Sequence, residues 1–356
     1  MADDNVPRPG AWDTTDVSAS PTTGAPLRPV EHWQQLAADT ADDDVDSALG
    51  SDASESTASL TSSILAYRTI HGRTFHSDKG DTQYWASNDA QQNESMDIAH
   101  HFLTLTVENK LYLAPIKEDI QTALDIGTGT GIWAIDFADE FPCTEITGTD
   151  ISPIQPSWVP PNLKFEIDDC TREWTFDTSS IDYVHMRYLV GSIKDWSALF
   201  QEAFRVCKPG GWVESHEAAA MMESDDGTVA DTSALHEWGR FFIEGGKRLG
   251  QPFTILEDDM QRRYMEYAGF VDITIEDRKI PVGGWPSDKR MREIGRFVQA
   301  ALEKDFEGYV LYMASQLLGW TMNEVRVYCA QLRREIRSGK HHAYFRFRAV
   351  YGRKPT

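Results

Sequence analysis

The chain has 356 residues, 41% of them apolar and 11% aromatic, with 56 acidic against 34 basic side chains and a net charge of −22. That apolar content supports a sizeable core, in one large domain or two small ones. A surface this acidic repels phosphate backbones, which argues against direct binding to nucleic acid or to anionic membranes, and no run approaches the 18 apolar residues of a membrane span. The four cysteines (Cys143, Cys170, Cys207, Cys329) are scattered, with no paired or His-flanked metal spacing. They point to a reducing compartment and no structural zinc. The N-terminus has neither a basic start nor an apolar core, so no secretory signal is expected, and the protein is expected in the cytoplasm or the nucleus.

Residues 1–62 carry 12 acids against two arginines, Arg8 and Arg28, among many Ser, Thr, Ala and Pro. Such a segment buries too little apolar surface to offset ordering entropy and is expected to be disordered. Within it, Val30–Ala37 reads as a short helix with Trp33 and Leu36 on one face, suited to docking on a partner. A globular domain is expected over 63–356. It starts with an aromatic-rich, helical lead-in up to about Val107. Strand-like runs follow at Thr122–Ile126, Glu145–Thr149, Lys164–Ile167, Ile181–Met186 and Trp212–His216, interleaved with helix-like Ile132–Glu140 and Trp196–Val206. This alternation implies an α/β fold with a mostly parallel sheet. Lys208–Gly211 (KPGG) reads as the turn entering the fifth strand. Beyond it come helical stretches at 232–249 and 256–267, a strand at 271–275, a helical insertion over about 287–337 and an alternating last strand, HAYFRFRAVYG. The basic cluster Arg333, Arg334 and Arg337 reads as a solvated helix face, with a targeting signal as the lesser alternative.

The stretch TALDIGTGTG (Thr122–Gly131), answered by EITGTD ending at Asp150, is the strand–turn–helix–strand grammar of a nucleotide-binding unit. Glycines at 127, 129 and 131 let the backbone approach a ligand, because no Cβ stands in the way. The third glycine of a dinucleotide fingerprint is replaced by Ile132. With Asp125 at the strand end, this spelling fits S-adenosylmethionine better than NAD. Asp150, followed by Ile151, stands where a carboxylate accepts both ribose hydroxyls, the plainer alternative being a turn or N-cap acid. Asp125, with Thr128 in the loop, is expected to order the turn near the methionine amino group. Asp169 is expected to accept from the adenine amino group and Cys170 to offer its backbone N–H; Cys170's thiol reads as a buried filler. Period-two alternation places Glu214 and His216 on one strand face. His216 is the candidate general base, ahead of His185 and Arg187, although methyl transfer from a sulfonium can rest on alignment alone. Gly283–Pro286 and the helices after it are expected to form a lid.

The segments DIGTGTGIWAIDFADEFP, GTDISPIQPSWVPPNLKFEIDDC, GSIKDW, RVCKPGGWVE and the C-terminal HAYFRFRAVYGRKP together resemble the fungal LaeA-like S-adenosylmethionine-dependent methyltransferases, over about residue 63 to the end. The resemblance implies a class I methyltransferase fold, a Rossmann-like sheet of seven strands with the last antiparallel. It implies either a methyltransferase of fungal secondary metabolism with a small-molecule acceptor, or a nuclear regulator acting with velvet-type protein partners. Tyr84 and Trp85 match the family and are expected either to cover the methionine end of the cofactor or to pack in an aromatic core. The segment NESMDIAHH departs from it, with Ser95 and Met96 where an acidic motif is expected. A nicotinamide-dependent oxidoreductase is the remaining alternative within the enzymes.

Overall fold

A computed structural model describes residues 27–38, 67–77 and 84–356. In chain order the elements are α1 (Val30–Ala38), β1 (Arg68–Ile70), β2 (Arg73–Phe75), α2 (Ala90–Thr106), β3 (Thr122–Ile126), α3 (Ile132–Glu140), β4 (Glu145–Asp150), β5 (Leu163–Ile167), β6 (Ile181–Arg187), α4 (Trp196–Val206) and β7 (Cys207–Glu223). They continue with α5 (Ala234–Leu249), α6 (Met260–Ala268), β8 (Val271–Pro281), α7 (Lys289–Lys304), α8 (Phe306–Leu311), a π-helical turn (Tyr312–Leu317), α9 (Met322–Arg337) and β9 (Tyr344–Arg353).

Seven strands form one sheet in the order β5-β4-β3-β6-β7-β9-β8. The pairs β3/β4, β4/β5, β3/β6 and β6/β7 are parallel, and β9 runs antiparallel between β7 and β8. The central strands are apolar nearly throughout because both of their faces are covered. One face packs Trp133, Phe137 and Ala138 of α3 with Tyr183, while the other carries the larger core around Val184, Met186, Phe200 and Val213. Chain direction reverses its march across the sheet between β3 and β6. Ligands of open α/β sheets bind at such a point, outside the C-terminal strand ends.

The helices begin where the local chemistry allows. Ser233 caps α5 by accepting from the His236 N–H, Gly250 ends it in the left-handed region (φ 69°), and Thr321 with Glu324 forms a capping box on α9. The Lys208–Gly211 stretch does not end a strand. It sits inside the long β7 as an irregularity, between Cys207 opposite Ile181 and Trp212 opposite Tyr183.

Two expectations change. The lead-in begins with a hairpin rather than a helix: Arg68–Ile70 and Arg73–Phe75 pair around His71 and Gly72, both at positive φ (50° and 84°). Two adjacent positive-φ residues are what a tight two-residue hairpin requires, and the repeated Arg-Thr-apolar on either side is its strand signal. Residues 63–66 lie outside the described residues. Of the stretch expected to be disordered, 27–38 is described, and it is an ordered helix docked on its own domain. Trp33 is fully buried and meets the Tyr328 ring edge-on at 5.5 Å. The Arg28 backbone N–H donates to Glu237 Oε1 (2.6 Å) and His32 Nε2 to the Thr232 carbonyl (3.0 Å). The remainder of 1–62 lies outside the described residues.

A large aromatic side chain removed from such a site leaves a cavity, so Trp33→Ala should lower unfolding free energy by about 3 kcal/mol. Urea denaturation of the full chain checks this, and a loss of only a few tenths would mean that α1 is not docked in solution.

Candidate active site

The loop between β3 and α3 carries the three glycines, all in the left-handed region (φ 66°, 58° and 82°). A Cβ on Gly127 would come within 2.4 Å of Leu189 Cδ2, on Gly129 within 2.5 Å of Met96 Cε, and on Gly131 within 2.3 Å of the Phe165 ring. Conformation and close packing both demand glycine here. Gly127 and Gly129 line a cavity of about 280 Å³ beyond the C-terminal ends of β3, β4 and β6, together with Thr128, Asp125, Asp150, Ile151, Asp169, Cys170 and Tyr84. Gly131 is not in that lining; it caps α3, with its N–H on the Thr128 carbonyl (2.9 Å).

Two buried carboxylates hold the loop. Asp125 Oδ2 accepts from Thr128 Oγ1 (2.6 Å), and Oδ1 meets His185 Nδ1 (2.8 Å) across the β3/β6 register. Burial pushes Asp125 up to about 7, against the pull of the Thr128 hydroxyl. Burial likewise drives His185 well below the usual imidazole range, helped by the neighbouring His216 and Arg187. Trp133 stacks on the His185 ring at 3.6 Å. Asp150 Oδ2 accepts from the Gly129 N–H and Oδ1 from the Ser152 N–H (both 2.9 Å). Burial raises its carboxyl to about 6, opposed by those two N–H groups. Gln155, from the SPIQP segment, closes the turn by donating to the Gly129 carbonyl (2.7 Å). Asp169 accepts from the Thr171 N–H and hydroxyl on Oδ1, and its Oδ2 lies 3.3 Å from Arg172 Nε. Burial and then Asp169 push the Cys170 thiol upward, so it is a filler and not a nucleophile. Burial, then Asp150 and Tyr309, raise the Tyr84 phenol.

His216 is placed elsewhere. It is buried inside the sheet, outside the cavity lining, with Nε2 2.5 Å from Glu214 Oε1 and its ring edge-on to Phe347. Glu214 is committed in turn to the Leu113 and Ala114 N–H groups (2.8 and 2.7 Å) and to the Tyr183 hydroxyl (3.1 Å). The shared strand face was read correctly, but it looks into the α3 side of the sheet and not toward an acceptor. The general-base expectation for His216 is therefore withdrawn. Arg187, at the end of β6, does line the cavity; its Nη2 lies 3.1 Å from His100 Nδ1. Glu217, next on β7, holds the loop after β6 by accepting from the Leu189 and Val190 N–H groups (2.9 and 3.0 Å).

Beyond the loop the cavity becomes apolar. Ala218, Ala219 and Ala220 of β7 leave room that is walled by Trp85, Trp238, Phe242, Phe253 and Tyr309, with Val298, Ala301 and Leu302 from the insertion helices. Trp85 stands edge-on to Phe242 (5.2 Å) and Phe253 (5.6 Å). The expected lid thus forms one wall of this chamber. Ser95 ties α2 to it, donating to the Ala301 carbonyl (2.7 Å) and meeting the Tyr309 hydroxyl (2.8 Å), while Met96 covers Gly129. Of the basic cluster on α9, Arg337 pairs with Glu303 (2.7 Å) and Arg333 lies over the Phe306 ring (5.3 Å), so these cations serve intrachain contacts.

One partly buried guanidinium braces the front of the chamber. Arg73, on the hairpin, binds Asp89 (2.5 and 2.7 Å), Asp305 (2.7 and 2.7 Å) and Ser87 Oγ (2.9 Å). Asp89 is the N-cap of α2 and Asp305 the N-cap of α8. Sequence reasoning missed this cluster, whose members are 16 and 232 residues apart from Arg73.

A glycine loop under a buried acid, at the switch point of a seven-stranded sheet whose neighbouring β9 is reversed, defines a class I S-adenosylmethionine-dependent methyltransferase. The comparisons agree. A family model described as "Methyltransferase domain" matches residues 98–274. Methyltransferase pytC of Aspergillus terreus is 36% identical over 305 residues, covering 85% of this chain and 93% of that protein. The secondary metabolism regulator laeA of Fusarium oxysporum is 32% identical, over 80% of this chain and 91% of its own length. Probable methyltransferase tdiE of Emericella nidulans is 30% identical, over 74% and 82%. The chain belongs to the LaeA-like methyltransferase family, and the nicotinamide oxidoreductase alternative is set aside. Among the described residues, no group of acidic, His and Cys side chains is arranged to hold a metal ion, and no helix is long and apolar enough to cross a membrane.

Removing Arg73 would leave the fully buried Asp305 carboxylate without its counter-charge, with the Gly308 N–H still donating to Oδ1. Arg73→Ala should therefore cost about 3–5 kcal/mol of stability, read by chemical denaturation; a cost below about 1 kcal/mol would show that the cluster is solvated.

Proposed function

We propose that the chain transfers the methyl group of S-adenosylmethionine to a small, largely apolar molecule of fungal secondary metabolism. The observation that carries this reading is one cavity with two ends, a polar end at the glycine loop and Asp150, and an aromatic end under the insertion helices. The polar end suits the donor. Gly127 and Gly129 leave a cradle that a Cβ would fill. Each Asp150 oxygen accepts one backbone N–H and keeps a further lone pair for a ribose hydroxyl. Asp169 Oδ2, 3.3 Å from Arg172 Nε, is assigned to the adenine amino group, with the Cys170 N–H beside it. Asp125 and Thr128 order the turn near the methionine amino group, Arg187 offers the methionine carboxylate a charge-assisted partner, and Tyr84 covers that end.

The bound sulfonium supplies an activated methyl group with a neutral thioether as leaving group. The chain's own work is to hold donor and acceptor in line and to exclude water, which by itself accounts for large rate gains. The buried aromatic wall does both. With His216 inside the sheet, alignment carries the chemistry.

The relatives that are secondary metabolism regulators motivate a second reading, a regulator acting in the nucleus with velvet-type partners. The two readings separate experimentally. A scaffold keeps its biological effect when Asp150→Ala is combined with Gly129→Trp, and an enzyme loses it. For the donor site, Asp150→Asn should weaken S-adenosylmethionine binding about tenfold by calorimetry, the cost of one good hydrogen bond to a charged acceptor. In the unsubstituted protein, protonation of Asp150 removes that acceptor. Affinity should therefore hold above neutrality and fall as pH drops through about 6, and the Asn variant should flatten that fall. Titrations that show NAD binding and no S-adenosylmethionine binding would overturn the reading.

A further inference from the structure

The aromatic chamber contains a polar anomaly. Asn88 is 6% exposed and lines the cavity, yet both its amide nitrogen and its amide oxygen are buried without a hydrogen-bond partner among the described residues. Gln92, 2% exposed on the first turn of α2, also lines the cavity and has an unpartnered, buried Oε1. Buried polar groups are almost always satisfied, and an amide left without partners destabilises the fold. Two such groups side by side in a cavity mark a place where a ligand supplies the missing partners.

The surroundings hold these groups rigidly in place. The Asn88 backbone N–H donates to the Thr74 carbonyl (2.9 Å) of the hairpin. Its neighbours Ser87 and Asp89 are both gripped by Arg73, and Asp89 accepts from the Gln92 N–H (3.2 Å). Their position separates them from the donor. On α2 it is Met96 that covers the glycine loop, and Gln92 lies one turn, about 6 Å, nearer the helix start. Gln92 faces Tyr309, which belongs to the lid wall.

We propose that Asn88 and Gln92 are specificity-determining residues for the methyl acceptor. Resting on the methyltransferase reading above, this assigns the acceptor a chemical class: a neutral, flat, unsaturated body that carries a hydrogen-bond donor and acceptor side by side, as in a lactam. The Asn88 amide answers that pair with one oxygen and one N–H, and Gln92 Oε1 takes a second donor. The aromatic walls (Trp85, Trp238, Phe242) take the body. A hydrocarbon without the pair leaves the buried amides unpaired and is rejected for that reason.

The test uses the full chain loaded with S-adenosylhomocysteine and three probes of similar shape: 2-quinolone, N-methyl-2-quinolone and naphthalene. Calorimetry should find 2-quinolone bound at least about tenfold tighter than either of the others. Asn88→Leu should abolish that preference while leaving naphthalene binding equal or stronger and the S-adenosylhomocysteine Kd within about twofold. Gln92→Leu should leave the preference in place, because 2-quinolone carries no second donor, and Asn88→Ala should abolish it as Asn88→Leu does, which keeps the test decisive if the leucine variant does not fold. Equal binding of the three probes, or binding of none of them by the loaded protein, overturns the proposal. So does weakened S-adenosylhomocysteine binding in Asn88→Leu, which would place Asn88 at the donor instead. Failure of the unsubstituted chain to bind S-adenosylhomocysteine at all would count against the methyltransferase reading itself.

Discussion

The active site depends on one partly buried cation. Arg73 brings together a two-strand hairpin, the start of α2 and the start of α8, and satisfies a carboxylate that has no access to water. Burial works against its charge, but the two acids outweigh that and hold the guanidinium firmly protonated. The price of the arrangement is rigidity in the wall that carries Trp85, Asn88 and Gln92. A planar, five-donor side chain is suited to that role because it can bind two carboxylates and a hydroxyl in fixed directions at once.

Behind that wall the donor end is organised by a second constraint, the β3/β6 register. Asp125 and His185 are directly paired across parallel strands, so their side chains must meet once both point to the same face. Each is driven toward its neutral form by burial, and their contact spares the interior an isolated charge. Asp150 answers from the next strand with two backbone N–H groups. The glycine loop is thus pinned from both sides before any ligand arrives, so that little ordering remains to be done on binding.

The two ends of the cavity therefore obey different physics. The donor end is built from backbone and carboxylates at strand termini, positions that the fold dictates. The acceptor end is built from aromatic side chains on α5, the insertion helices and the front loop, with two amides set among them.

Much of this was legible in the linear chain. Apolar runs bounded by turns marked all seven strands of the sheet, five of them within two residues, while β7 and β8 run five to seven residues beyond the expected bounds. The glycines, Asp150, Asp169 and their spacing pointed to the donor because that chemistry is local, confined to strand–turn–helix units. The hairpin at 68–75 was missed because two three-residue strands leave too short a pattern. The α1 helix and its Trp33 face were read, but its dock was not, because the pocket that takes Trp33 lies on the distant α9 of the same chain. His216 was misplaced because alternation shows that two residues share a face and says nothing of what that face meets. The Arg73 cluster and the orphaned amides of Asn88 and Gln92 belong wholly to tertiary structure. Pairing and burial are relations between distant segments, so only the folded chain decides which polar groups find partners and which are left for a ligand.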